Sequence, residues 1–178
     1  PLILTFVEKG FQTIGFDIDE KKISALRGGT SYISHIPTKD IASSIEKEQF
    51  LPTADFAKIS EVDAILICVP TPLTENQEPD LSYVTSTGEK ITPHLRAGQL
   101  IVLESTTYPG TSSEILKPIL EQNGLKSGKD LFLAYSPERE DPGNPTFGTA
   151  SIPKVVGGDG EEARRLAAAL YDQIVVET

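Results

Sequence analysis

Leu100-Ile101-Val102-Leu103-Glu104-Ser105-Thr106-Thr107-Tyr108-Pro109-Gly110 is the stretch whose reading decides the fold. Its first four residues are apolar and branched, the pattern of a strand buried on both faces of a parallel sheet. The run then breaks into hydroxyl side chains and a Pro-Gly turn. A strand ending this way delivers small donors and acceptors to its carboxyl end, the edge at which open α/β sheets bind ligands. Two other stretches repeat the design. Residues 64–69 lead into Pro70-Thr71-Pro72, and residues 131–135 lead into Ser136-Pro137-Glu138-Arg139. One such exit reads as an ordinary turn; three together predict a ligand-binding rim.

Upstream, Ile3, Leu4, Phe6 and Val7 give an apolar face to a short helix that stops at Gly10. Residues 11–16 read as a strand ending at Asp17-Ile18-Asp19, and residues 20–27 as a helix with Ile23 and Leu26 inward. Helix, strand, acid, helix is the order of the second half of a βαβ dinucleotide unit, where the acid hydrogen-bonds the adenosine ribose. Asp17 is the candidate, and its carboxylate would repel a 2′-phosphate, favouring NAD over NADP. The competing reading is a turn or helix-capping acid, since Asp19 and Glu20 stand beside it. Further along, helices are expected over residues 39–49, 81–95, 113–123 and 161–171, the last with Leu166, Ala169 and Leu170 as its apolar stripe. Short strands are expected over residues 50–55 and 152–156. Residues 73–80 read as a mobile rim loop, and residues 138–150 as a long irregular loop of the kind often used for function. Alternating strands and helices predict an α/β fold, Rossmann-like and doubly wound, with a mostly parallel sheet.

The 178 residues suffice for one α/β domain with a real core. A formal net charge of -10 excludes broad nucleic-acid binding, because such a chain repels phosphate backbones. A small phosphorylated ligand remains compatible, since backbone N–H groups hold phosphate without net basicity. The one cysteine, Cys68, can build neither a disulfide framework nor a thiolate metal site, so no metal is expected and a cytoplasmic setting is. Its flanks, Ile67 and Val69, read it as a buried small hydrophobe. No apolar run is long enough to span a membrane, and no membrane partner is expected. The helix-like opening at Pro1-Leu2-Ile3-Leu4, without methionine, predicts that a first strand and a glycine-rich loop precede this chain.

The sequence resembles the amino-terminal, NAD-binding domain of the UDP-glucose/GDP-mannose dehydrogenase family. The resemblance rests on Gly15-Phe16-Asp17-Ile18-Asp19, Cys68-Val69-Pro70-Thr71-Pro72, Glu104 to Thr111, and Tyr135-Ser136-Pro137-Glu138-Arg139, in that order over nearly the whole chain. The wording Ser31-Tyr32-Ile33 and Pro137 to Gly143 is most similar to the UDP-N-acetylhexosamine 6-dehydrogenase branch. The resemblance implies oxidation of the C6 alcohol of a UDP-sugar to the uronic acid by two hydride transfers to NAD, through an intermediate held on a cysteine and then hydrolysed. It implies that Asp17, with Lys22 near it, takes the adenosine ribose, that Val69 and Thr71 line the cofactor, and that Ser105 contacts NAD. Thr106 would orient a water or the sugar hydroxyl. Glu138 would lie at the sugar C6 and assist proton transfer, with Arg139 and Asp141 on the same substrate-contacting loop. Taken alone, Glu138 and Arg139 would read as a surface ion pair.

The glycine-rich loop and the catalytic lysine, asparagine, aspartate and cysteine of the family do not fall within these residues, and Cys68 is not that nucleophile. Residues 1–178 are therefore expected to form a truncated dinucleotide-binding domain, inactive alone, without the central helix through which family members dimerise and without the carboxyl-terminal domain. Two other readings compete: another Rossmann NAD-dependent hydroxyacid dehydrogenase, which would not require these loops, and a non-catalytic nucleotide-binding module.

Overall fold

In the computed structural model, which describes residues 1–138 and 153–178, chain contacts gather into two units. In the first, α1 (Leu2–Glu8) is followed by β1 (Thr13–Phe16), α2 (Glu20–Arg27), α3 (Thr38–Glu46) and β2 (Phe50–Thr53). The two strands pair in parallel, from Thr13 opposite Phe50 to Phe16 opposite Thr53. Val7, Ile41 and Phe50 form the core of this unit, with Ile3, Leu4, Leu26, Ile36 and Ile45 packed against them. Gly15 is required here: a Cβ at that position would lie 2.7 Å from the Phe50 ring. Asp19 caps α2, its carboxylate accepting from the Lys21 N–H at 2.9 Å, so the capping duty that competed for Asp17 belongs to its neighbour.

The second unit holds a four-stranded sheet in the order β3 (Ala64–Ile67), β4 (Leu100–Leu103), β5 (Phe132–Tyr135) and β6 (Gly157–Gly158). The first three strands run parallel, and β6 pairs antiparallel to β5. All four residues of β4 are buried, as its apolar run requires for the inner strand of the three parallel ones. The helices of this unit are α4 (Ser82–Ile91), α5 (Lys117–Leu120) and α6 (Glu161–Tyr171). The expected α/β fold with mostly parallel strands is thus the fold observed.

Several local expectations are corrected. The helix expected over residues 81–95 changes at Thr92–His94 to a 3₁₀ turn, because Pro93 has no N–H to continue the α ladder. The helix expected over residues 113–123 is a π turn (Thr111–Leu116), the short α5 and a 3₁₀ turn (Glu121–Asn123). Pro118 is the physical reason, since it cannot donate to the carbonyl of residue 114. Residues 153–156 are not a strand; pairing begins at Gly157. The buried face of α6 is Ala163, Ala167 and Tyr171 rather than Leu166, Ala169 and Leu170. Residues 73–80 fold back on themselves: Leu73 and Pro79 form an antiparallel bridge, the Thr74 N–H donates to Glu78 at 2.7 Å and the Asp80 N–H to Pro72 at 2.7 Å.

Candidate functional site

The carboxyl ends of β3, β4 and β5 are laced together. The Glu104 N–H donates to the Ile67 carbonyl at 2.9 Å, continuing the ladder one residue past the end of β4. Ser105, 6% exposed, turns its hydroxyl toward the β3 exit and donates to the Val69 carbonyl at 2.6 Å. One residue on, the Thr71 hydroxyl donates back to the Thr106 carbonyl at 2.7 Å. From β5, the Ser136 N–H donates to Leu103 at 3.0 Å and the Glu138 N–H to Glu104 at 3.1 Å. The three exits therefore form one continuous rim that brings Val69, Thr71, Ser105, Thr106 and Glu138 together. Thr106 and Glu138 are exposed on it. Thr106 presents a hydroxyl able to donate and accept, and Glu138 a carboxylate open to solvent.

Asp17 and Lys22 meet in the first unit. The Asp17 carboxylate follows the last residue of β1; Oδ1 accepts from the Asp19 N–H at 2.9 Å, and Oδ2 lies 3.3 Å from Lys22 Nζ. The Lys22 ammonium also stands 5.7 Å from the centre of the Tyr32 ring, a half-exposed aromatic. Its hydrogen bond to Asp17 raises the Lys22 pKa, keeping the cation charged. Arg139 and Asp141 lie outside the described residues.

Beneath the rim is a group of side chains that the sequence reading did not assign. Glu104, 2% exposed, is sandwiched between two donors: Lys154 Nζ at 3.0 Å from Oε2, and the Tyr171 hydroxyl, which donates to Oε1. Lys154 is 6% exposed and stands 4.9 Å from the centre of the buried Tyr171 ring. Burial pushes the Glu104 pKa up, and the Lys154 charge and the Tyr171 hydrogen bond pull against it. Burial, reinforced by Glu104, drives the Tyr171 hydroxyl far above its ordinary value, so it serves as a neutral donor. Ser136 Oγ is fully buried close to that hydroxyl but outside hydrogen-bonding geometry. A signal for this group does exist in the sequence. Glu104 ends an entirely apolar strand, and Lys154 sits in the run Ile152-Pro153-Lys154-Val155-Val156. A charge embedded in apolar sequence needs a buried partner.

Cys68 departs from its expected place. It lies one residue past β3 and is exposed, not packed inside the strand. Its thiol nonetheless stands within electrostatic reach of Glu104 and Lys154, and the crowding of protein atoms on that side pushes its pKa up to about 12. The direction leaves a neutral thiol at pH 7, which is a poor nucleophile. An open cleft of about 380 Å³ adjoins the rim, lined by residues 107–113 with Tyr135 and Asp159 among others, but by none of the site residues inferred from sequence. Among the described residues no cluster could hold a metal ion, and no helix is long and apolar enough to cross a membrane.

Comparison with known proteins bears directly on this arrangement. A family model described as the UDP-glucose/GDP-mannose dehydrogenase family, NAD binding domain, matches residues 1–175. The UDP-N-acetyl-D-glucosamine 6-dehydrogenase of Pseudomonas aeruginosa is 34% identical over 176 residues, which are 98% of this chain and 41% of that protein. The UDP-N-acetyl-D-mannosamine dehydrogenase of Pyrococcus horikoshii is 30% identical over 181 residues, covering 98% of this chain and 42% of that protein. The solved structure of UDP-D-ManNAc dehydrogenase from Pyrococcus horikoshii superposes with a TM-score of 0.92 at 28% identity, over 99% of this chain and 42% of that one. The chain thus spans about two fifths of the length of the curated relatives it matches. The fold is that of a Rossmann-type dehydrogenase cofactor domain.

Proposed function

Because the chain belongs to the UDP-glucose/GDP-mannose dehydrogenase family, we propose that it forms the NAD-binding part of an enzyme that oxidises the C6 alcohol of a UDP-N-acetylhexosamine to the uronic acid. The observation that carries the reading is the laced rim, which sets Val69, Thr71, Ser105, Thr106 and Glu138 along one edge of one sheet. Ordinary hydroxyacid oxidation would not need it.

The residues present suit the dinucleotide. Asp17 offers a partly exposed carboxylate after β1 as acceptor for the ribose hydroxyls, and Lys22 is committed to holding that carboxylate in place. Val69 and Thr71 provide the wall at the β3 exit. Ser105 keeps the β4 exit pinned against it. NAD, when bound, accepts a hydride from the sugar C6 in each of two oxidations. The alcohol would lose a hydride and a proton to become the aldehyde, a cysteine outside residues 1–178 would add to it, a second hydride would leave to give the thioester, and water would hydrolyse that to the carboxylate and the free thiol. Thr106 orients the hydroxyl or the water, since its own hydroxyl relays a proton without carrying charge. Glu138 takes protons at C6 as a carboxylate base, and Arg139 and Asp141 serve as substrate contacts. Cys68, a neutral thiol, takes no covalent part.

The activity is assigned to the longer polypeptide, acting as a homodimer or larger oligomer in the cytoplasm, and residues 1–178 alone are inactive. The test is a substrate panel with NAD: UDP-N-acetylglucosamine, UDP-N-acetylmannosamine, UDP-glucose, GDP-mannose and simple hydroxyacids. Two NADH formed per UDP-N-acetylhexosamine supports the assignment. Turnover of hydroxyacids alone, or of no nucleotide sugar, overturns it. NADH formation by the 178-residue chain alone would refute the split of labour.

A further inference from the structure

An ammonium group with 6% exposure needs a reason, because burying an ion costs several kcal/mol unless it is paired, and even a well-paired ion rarely adds net stability. Lys154 has two carboxylates within reach. Its Nζ is 3.0 Å from Glu104 Oε2 and 3.6 Å from Glu138 Oε2. The two acids differ in setting: the Glu104 side chain is 2% exposed and that of Glu138 38%. Glu104 is occupied on both oxygens, by Lys154 and by Tyr171. The same pair of acids is also joined through the backbone, the Glu138 N–H donating to the Glu104 carbonyl at 3.1 Å. One buried acid therefore anchors a buried cation, and that cation reaches the one acid of the pair that faces solvent on the rim.

We infer that Lys154 is a positioning residue for Glu138: clamped from behind by Glu104 and Tyr171, its ammonium holds the Glu138 carboxylate at the rim and in its charged form. The inference rests on the reading of Glu138 as the base at C6. Among the described residues, the titratable groups in electrostatic reach of the Lys154 and Glu138 pair include Glu104, Tyr171 and Cys68. At neutral pH Tyr171 and Cys68 carry no charge, while Lys154 faces Glu138 as a cation that Glu104 also holds. Removing the Glu104 carboxyl should strengthen the hold of Lys154 on Glu138. Removing the Lys154 ammonium as well should release it.

The experiment compares five forms of the complete enzyme: wild type, Glu138→Gln, Glu104→Gln, and Glu104→Gln combined with either Lys154→Met or Lys154→Arg. Lys154→Met alone is avoided, since it strands the Glu104 charge in the interior. Glutamine at position 104 keeps the shape and an acceptor for Tyr171. In Glu104→Gln the acidic limb of the kcat profile moves to lower pH, because Glu138 no longer shares its cation. In the double variant with Lys154→Met the limb moves to higher pH than in Glu104→Gln, and kcat at neutral pH falls about tenfold below that of Glu104→Gln, with KM for the sugar little changed. Lys154→Arg, which keeps the charge, restores most of the loss. A purely structural role for Lys154 would not move the limb in opposite directions. If Glu104→Gln and its combination with Lys154→Met share one acidic limb while Glu138→Gln is slow, the inference is overturned and Glu138 acts without Lys154. If Glu138→Gln turns over like wild type, the underlying assignment of Glu138 fails instead. Should the double variant with Lys154→Met fail to fold, the limb of Glu104→Gln decides alone: unmoved or raised, it overturns the inference.

Discussion

The Ser105 hydroxyl donates to the Val69 carbonyl at 2.6 Å, joining the exit of one strand to that of its neighbour through a side chain that is almost wholly buried. The Ile67 carbonyl, at 3.4 Å, is a second and weaker acceptor. Ser105→Ala removes the donor from the half-buried Val69 carbonyl, which costs about 0.5–1.5 kcal/mol. The β3 exit then loses the support that fixes Val69 and Thr71, so NAD binding weakens as well. The expected result is a lowered urea midpoint with an unchanged slope, together with a Kd for NAD raised several-fold in a fluorescence titration. A stability loss with NAD affinity intact would place Ser105 in the fold alone.

Asp17 is held in position by two contacts of its own, the Asp19 N–H at 2.9 Å and Lys22 Nζ at 3.3 Å. Neither is a helix cap, because Asp19 supplies that. Asp17→Ala should therefore leave α2 intact by circular dichroism while the Kd for NAD rises about tenfold, the equivalent of one lost charge-assisted hydrogen bond. Discrimination against NADP should weaken in parallel, since the carboxylate that repels a 2′-phosphate is gone and Lys22 is released to meet it. An unchanged NAD to NADP preference would remove Asp17 from the cofactor site.

How much of this was legible in the sequence depends on whether a residue's neighbours are local. The strands β3, β4 and β5 and the helices α2 and α6 could be read from periodicity, and so could the hydroxyl-bearing exits that follow the strands, because a strand and the turn after it are contiguous. The face of α6 was misjudged for a related reason. Its spacing also allows Ala163, Ala167 and Tyr171, four residues apart, and small alanines give a weak hydrophobic signal although they permit close approach. The apolar run around Lys154 signals that it needs a partner but not which one, because Glu104 lies fifty residues away along the chain. Only the fold brings the two charges together.

Gly158 gives a sharper test of how β6 meets α6. A Cβ there would lie 2.3 Å from the Arg164 backbone nitrogen and 2.8 Å from its Cα, atoms in the first turn of α6 that cannot swing aside. At Gly157 the nearest contact would be the Tyr135 carbonyl oxygen at 3.9 Å, ordinary van der Waals distance. Gly158→Ala should cost about 3 kcal/mol, because the helix must shift from the sheet edge. Gly157→Ala should cost well under about 1 kcal/mol by the same logic. Equal thermal shifts in the two variants would mean that β6 does not hold α6 in this register.

Asp159 follows this pair of glycines and links three segments. Its Oδ2 is 2.7 Å from Lys117 Nζ at the start of α5 and accepts from the Ser127 hydroxyl at 2.7 Å, and its N–H donates to Leu133 in β5 at 2.8 Å. The Lys117 hydrogen bond, then that of Ser127, holds the carboxyl below its ordinary value of 3.8. A depressed folded-state pKa means that the unfolded chain binds a proton first as pH falls. The stabilisation is therefore fully present above the unfolded value and is lost as pH drops through the lower, folded one. Asp159→Asn should destabilise the protein by about 1–2 kcal/mol at pH 7, where the variant lacks the charge-assisted contacts. As pH falls below about 4 the gap between the two unfolding curves should begin to close, and it closes fully only below the folded-state value, where protonation takes the same contacts from the wild type. Urea unfolding of both proteins from pH 7 to pH 3 checks this, and a gap that stays constant across the range would show that the Asp159 charge contributes nothing to holding α5 against the sheet.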